Sequence, residues 1–300
     1  MVIEMSLTGC LPPIPTPFDK GGRVDHERLA SNLEKWQTTG LTGFVVLGSN
    51  GEAVLLKEEE KLAIWKTSRS VIKEDRLFIA GTGYESTSET IELTEKAARS
   101  GANAAMVVTP HYYKSQMSHR ALVAHYTTVA NHSPLPIILY NVPAFTGIDM
   151  TAETVIELGR HPNIIGIKES SGNVVKIGQI VGASSNNFQV LAGSGGFFLP
   201  ALVMGATGGV MALAAVAPEM LIDMVSAYEK GNLNKAREIQ SRLLPVNGAV
   251  TTRFGIPGLK AALDLIGMYG GPVRAPLPPL DDGQKQELVK VLREAGLLEG

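Results

Sequence analysis

NIIGIKESSG, residues 163–172, carries an almost unbroken apolar segment straight into Lys168 and then into a short polar turn. A strand buried on both faces reads this way, because helices covering a parallel sheet leave neither face to water and remove the usual alternation. The pattern repeats on either side. Comparable runs are CLPPIP (10–15), GFVVLG (43–48), LFIAG (77–81), AAMVVT (104–109), IILY (137–140), QVLAG (189–193) and GGVMAL (208–213). Between them lie segments at helical spacing, such as DHERLASNLEKWQTTG (25–40), KEEEKLAIWKTSRSVIKED (57–75), TSETIELTEKAARSG (87–101) and TAETVIELGRH (151–161). Several open on an Asp, Ser or Thr cap. Eight such units predict an α/β protein, a (β/α)8 TIM barrel with a C-terminal helical extension. A doubly wound open sheet is the alternative, since closure is not written in the pattern. Residues 1–216 are expected to form the barrel core. Residues 217–300 should supply the last barrel helix and the extension, including APEMLIDMVSAYEKGN (217–232), NKAREIQSRLLPVNGAV (234–250) and DGQKQELVKVLREAGLL (282–298).

Composition narrows the function. The chain has 300 residues, 44% hydrophobic, with 27 Lys and Arg against 29 Asp and Glu for a net charge of −2, enough to bury a large core. Near-neutrality without a basic run argues against nucleic acid or an anionic membrane as partner and favours a small-molecule ligand. Apolar stretches break well before the roughly 18 to 20 residues of a membrane span, and MVIEMSLTGC (1–10) lacks a basic region leading into an apolar one. The expectation is a soluble, cytoplasmic protein. Cys10, the single cysteine, is read as a small buried residue of the first strand.

In such a barrel, chemistry gathers at the carboxyl ends of the strands. Four ends are polar: GSNGE (48–52), Thr109 with Tyr112 and Tyr113, LYNVP (139–143), and Lys168. A buried lysine must find a carboxylate or lose its proton, and a neutral amine is a nucleophile able to form a Schiff base with a ketone. The structural alternative pairs Lys168 with Glu169 or lets it reach solvent. Tyr140 ends the preceding strand and stands within plausible reach of the same ketone, where a phenol could move protons. The two glycines of GSNGE suggest a tight turn whose amides could cradle a carboxylate or phosphate, with Ser49 relaying a proton to Tyr140. A plain turn with Glu52 capping the next element fits equally well.

Other patterns point elsewhere less well. GSGGFF (193–198) and GTGYES (81–86) lack the third glycine of a dinucleotide fingerprint. The glycines of GSGG and GATGG (205–209) leave a phosphorylated ligand open. His125 and His132 read as surface residues of a helix, and no HxH pattern occurs, so a metal-dependent aldolase is disfavoured and no metal is expected.

GSNGE, TPHYYK, LYNVPAFTG and GIKESSG, in this order, resemble the dihydrodipicolinate synthase/N-acetylneuraminate lyase family of pyruvate-dependent class I aldolases, over nearly the whole chain. HPNIIGIKESSG, FQVLAGSGGF, TRFGIPGLK and YGGPVRAPL bring it most like 4-hydroxy-2-oxoglutarate aldolase. The resemblance implies that Lys168 forms the Schiff base and that Tyr140 transfers protons and contacts the ketoacid. It places Ser49 and Asn50 in the turn that holds the carboxylate, Ser49 in the relay. Tyr112 or Tyr113 matches a tyrosine that reaches across a dimer interface into the neighbour's site. HYYK carries one residue more before its tyrosines than the PYYN of synthases, which leaves the choice between them open. Ser170 and Gly193 are further site candidates.

One departure bears on the substrate. Synthases that accept aspartate semialdehyde carry an arginine two residues after the Pro of YNVP; here Phe145 stands there, with no evident substitute cation in the adjacent sequence. The implied activity is cleavage of 4-hydroxy-2-oxoglutarate to pyruvate and glyoxylate, without metal or organic cofactor, by a homodimer or homotetramer with a shared tyrosine. Dihydrodipicolinate synthase, or another pyruvate-dependent lyase of the family, is the alternative. A non-catalytic barrel that binds a ketoacid is the reading from a different class.

Overall fold

The structure is a computed structural model and describes residues 5–185 and 187–299. Eight parallel strands follow the apolar runs: β1 Gly9–Leu11, β2 Gly43–Val46, β3 Leu77–Gly81, β4 Ala104–Val108, β5 Ile137–Asn141, β6 Ile164–Glu169, β7 Gln189–Ala192 and β8 Gly208–Val210. They pair in the order β1-β8-β7-β6-β5-β4-β3-β2. At the seam the amide of Ile14 donates to the Val45 carbonyl at 2.9 Å and that of Val45 to the Pro12 carbonyl at 3.0 Å, so the sheet curls on itself as a barrel rather than opening into a doubly wound sheet. Helices alternate with the strands, and four more of at least eleven residues follow β8: Pro218–Glu229, Leu233–Gly248, Gly255–Leu265 and Asp282–Glu294. Met211 onward leaves the expected strand and turns into a short helix at Leu213–Val216. Among the described residues no helix is long and apolar enough to cross a membrane.

Period-two geometry divides the buried residues into two shells. Leu11, Val45, Ile79, Met106, Ile138, Tyr140, Leu191 and Val210 fill the barrel interior. Ile137, Leu139, Ile167, Val190 and the apolar stripes of the helices form the outer layer between sheet and helices. Cys10 lies on β1, 1% exposed, and burial pushes its thiol up to about 12. His125 departs from its surface reading. It is buried between the helices Thr87–Arg99 and His119–His132, bonded through Nδ1 to Thr87 Oγ1 at 2.8 Å, and burial holds its ring down at about 4. His132 is exposed, as expected.

Candidate active site

A register shift between Ile137 and Ile138 lets β5 and β6 run on as Ile138 opposite Gly166 and Tyr140 opposite Lys168. Tyr140 and Lys168 thus share the inward face, and the Lys168 amine stands 4.1 Å from the Tyr140 ring centroid. Lys168 is 4% exposed and Tyr140 5%. Glu169, one residue on, must face the other way. It is fully buried behind the sheet, pairs with Lys176 at 2.9 Å and accepts from Asn141 Nδ2 at 2.9 and 3.1 Å. Asp149 joins the same cluster through Lys176 and Asn141. The alternative pairing of Lys168 with Glu169 is therefore excluded: the carboxylate already has its cation, on the opposite face.

The Ser49 hydroxyl lies 3.3 Å from the Tyr140 hydroxyl. Ser49, Asn50 and Gly51 form a single 3-10 turn at the mouth, and the first amides of such a turn have no helical acceptor. The turn is bracketed by two non-glycine residues in the left-handed region, Leu47 at φ 65° and Glu52 at φ 54°. Such backbone costs about 1 to 3 kcal/mol and persists only where the surroundings enforce it. Gly81 on β3 makes the room, since a Cβ there would collide with the Leu47 carbonyl. Glu52 stands at the N-cap position of the next element, the 3-10 turn Ala53–Leu55, but its side chain makes no capping bond there; the helix beyond, Glu58–Val71, has Lys57 at its N-cap, where the Glu60 side chain accepts from the Lys57 amide at 2.9 Å.

Ser170 follows β6 with its hydroxyl buried and without a hydrogen-bond partner among the described residues, as does Thr109 beyond β4. Gly193 gives Ser170 its place, because a Cβ at Gly193 would overlap the serine oxygen. Thr109 escapes sequence reading as a site residue in its own right, yet it follows Val108, the β4 partner of Tyr140. Tyr112 and Tyr113 are not drawn over their own barrel. They are 76% and 68% exposed and pack edge to face with centroids 5.1 Å apart. Their loop is tied down by Glu85, which accepts from the amides of His111 and Tyr112 at 2.8 Å each and meets His111 Nδ1 at 2.8 Å. Phe145, in the short helix Pro143–Thr146, is 65% exposed, more open than an apolar side chain lining a closed pocket. The sequence near Phe145 offers no cation, but the fold does. Lys114 rests against Gly147, its amine 3.0 Å from where a side chain on that glycine would begin.

Comparison with known proteins matches residues 6–295 to the dihydrodipicolinate synthetase family. The 4-hydroxy-tetrahydrodipicolinate synthase of Methanothrix thermoacetophila is 38% identical over 293 residues, 97% of this chain and 98% of the relative. Among solved structures, dihydrodipicolinate synthase DapA-2 from Bacillus anthracis superposes with a TM-score of 0.93 at 31% identity, covering 96% of this chain and 98% of that one. YagE, a prophage protein of the dihydrodipicolinic acid synthase family from E. coli K12 in complex with pyruvate, gives 0.91 at 30% identity, covering 97% and 99%. The synthase name of the first relative leaves the expected nearest likeness, to 4-hydroxy-2-oxoglutarate aldolase, unsupported. With the fold, the strand-end lysine and these matches over nearly its full length, the chain belongs to the dihydrodipicolinate synthetase family.

Proposed function

We propose that this protein is a class I aldolase that binds a 2-ketoacid as a Schiff base on Lys168 and makes or breaks the bond between its C3 and C4. The observation that carries the reading is the inward-facing Lys168 amine over the Tyr140 ring, with Ser49 at the phenol. The amine attacks the C2 ketone, and water leaves as the iminium forms. Tyr140, through Ser49, takes the proton of the C4 hydroxyl. The C3–C4 bond then breaks, its electron pair passes to the iminium nitrogen as an enamine, and the aldehyde departs. Protonation at C3 and hydrolysis release pyruvate and return the lysine. The turn of Ser49 and Asn50 holds the ketoacid carboxylate, and Ser170, packed against Gly193 just beyond Lys168, is the further site candidate. No metal or organic cofactor enters these steps.

For the aldehyde partner, Phe145 in the arginine position favours glyoxylate, and so 4-hydroxy-2-oxoglutarate as substrate. Condensation of pyruvate with aspartate semialdehyde is the second reading. It is supported by the name of the Methanothrix relative and by Lys114, a cation beside the Phe145 helix. A panel read as pyruvate release from 4-hydroxy-2-oxoglutarate and from sialic acid, beside pyruvate condensation with aspartate semialdehyde, ranks these readings. Robust condensation with aspartate semialdehyde by the unmodified protein would overturn the first. Borohydride added with pyruvate should leave a reduced adduct on Lys168. An adduct on Lys176 or Lys114 would overturn the site.

A further inference from the structure

Among the described residues, the most deeply buried ion pair is one that the mechanism does not use. Glu52 and Lys260 have side chains 0% and 1% exposed, and their Oε1 and Nζ meet at 2.5 Å. Glu52 closes the turn Ser49–Gly51 and is itself one of the two left-handed residues flanking it. Lys260 comes from the helix Gly255–Leu265, beyond the barrel strands. Its amine also donates to the Pro272 carbonyl at 2.8 Å and lies 4.3 Å from the Phe18 ring centroid. The second oxygen of Glu52 accepts the Arg274 amide at 2.7 Å. The Arg274 guanidinium forks onto Glu60 at 2.7 and 2.8 Å, donates to the Leu55 and Gly22 carbonyls at 3.0 and 2.7 Å, and covers the other part of Phe18 at 4.4 Å. On the barrel side, Thr16 Oγ1 holds the Gly51 carbonyl at 2.7 Å.

Burying an ion pair strips both ions of their hydration and is weak as a device for stability alone, since well-packed apolar residues serve as well. Burial bears first on Lys260 and draws its pKa down, with Glu52 opposing. What the pair supplies is direction. It fixes the αL residue that ends the turn to a helix and a strap from the far end of the chain.

We propose that Glu52, Lys260 and Arg274 are positioning residues that clamp the Ser49–Asn50 turn in its carboxylate-holding shape, so that the C-terminal helical region sets ketoacid affinity without touching the ketoacid. The inference rests on the reading of that turn as the carboxylate site. Its signature is selectivity: loosening the clamp weakens ketones that carry a carboxylate and spares those that do not.

The test is borohydride trapping on Lys168, with half-saturation measured for pyruvate and for acetone, in the wild type, Glu52→Gln and Arg274→Lys. Arg274→Lys keeps the charge and loses the fork onto Glu60, and it serves should Glu52→Gln fail to fold. Glu52→Gln should raise the pyruvate half-saturation about tenfold or more and Arg274→Lys two- to fivefold. Acetone should change less than twofold, and labelling at saturating pyruvate should stay complete. Folded variants with pyruvate half-saturation within twofold of the wild type, or with pyruvate and acetone weakened equally, overturn the clamp. A wild type that traps no pyruvate on Lys168 overturns the ketoacid reading itself, a distinguishable outcome.

Discussion

Tyr140→Phe removes one oxygen from a ring that is 5% exposed and leaves its packing in the barrel interior nearly unchanged. The fold should survive and turnover should fall by about 10²- to 10⁴-fold, the usual weight of general acid–base participation. Steady-state rates beside a thermal unfolding curve check it, and a variant within a few-fold of wild type removes the phenol from the mechanism. Ser49→Ala should cost less, because water can stand in for a relay hydroxyl 3.3 Å from the phenol. Both residues are legible in the sequence, since each stands at or just past the end of an apolar run that reads as a buried strand in a regular β/α series. Glu52 and Lys260 are legible less well. A glutamate after a glycine reads as a turn residue, and Lys260, in TRFGIPGLK, carries no local sign of burial. Nothing local announces that the two meet. The same blindness applies to Lys114, whose proximity to Gly147 is a product of the fold.

At the level of elements, the apolar runs place β2 to β7 within a residue or two, because burial on both faces imposes such runs, whereas β1 stops at Leu11 and β8 at Val210, four and three residues before their runs end. The partnership of helices is harder to read, and His125 shows why. In sequence it occupies one of two polar positions seven apart on a helix. In the fold it bonds Thr87 at the start of the neighbouring barrel helix and is 7% exposed. Desolvation lowers its pKa from 6.5 to about 4, so between those values the unfolded chain takes up a proton that the folded chain refuses. The contribution of neutral His125 to stability is complete above about pH 6.5 and is lost progressively as pH falls towards 4, up to about 3 kcal/mol. Thermal midpoints at pH 7 and pH 5 should differ less in His125→Gln than in the wild type. An equal loss in both would place the acid sensitivity elsewhere.

For the whole molecule, Tyr112 and Tyr113 present an aromatic pair to solvent, and tyrosine suits an interface because its ring can be buried while its hydroxyl stays bonded. If a second copy receives one of them, inactive Lys168→Ala subunits refolded together with weakened Tyr112→Phe/Tyr113→Phe subunits should regain part of the activity. Hybrids verified by mass but without recovery, or a fully active monomer in sedimentation, would count against a shared site. Within one barrel β1 is a single stave, bonded to β8 on one side, while Pro13 just beyond it bridges to Val45 of β2 on the other. The single thiol sits on β1, buried and held in its unreactive protonated form. Its side chain packs outward, in the layer between sheet and helices, so a disulfide reagent such as Ellman's can colour this protein only after that covering layer has lifted, and the slow appearance of one equivalent of thiolate times how often it does. Labelling at the rate of a free cysteine peptide would show that helices and sheet part far more readily than their packing suggests.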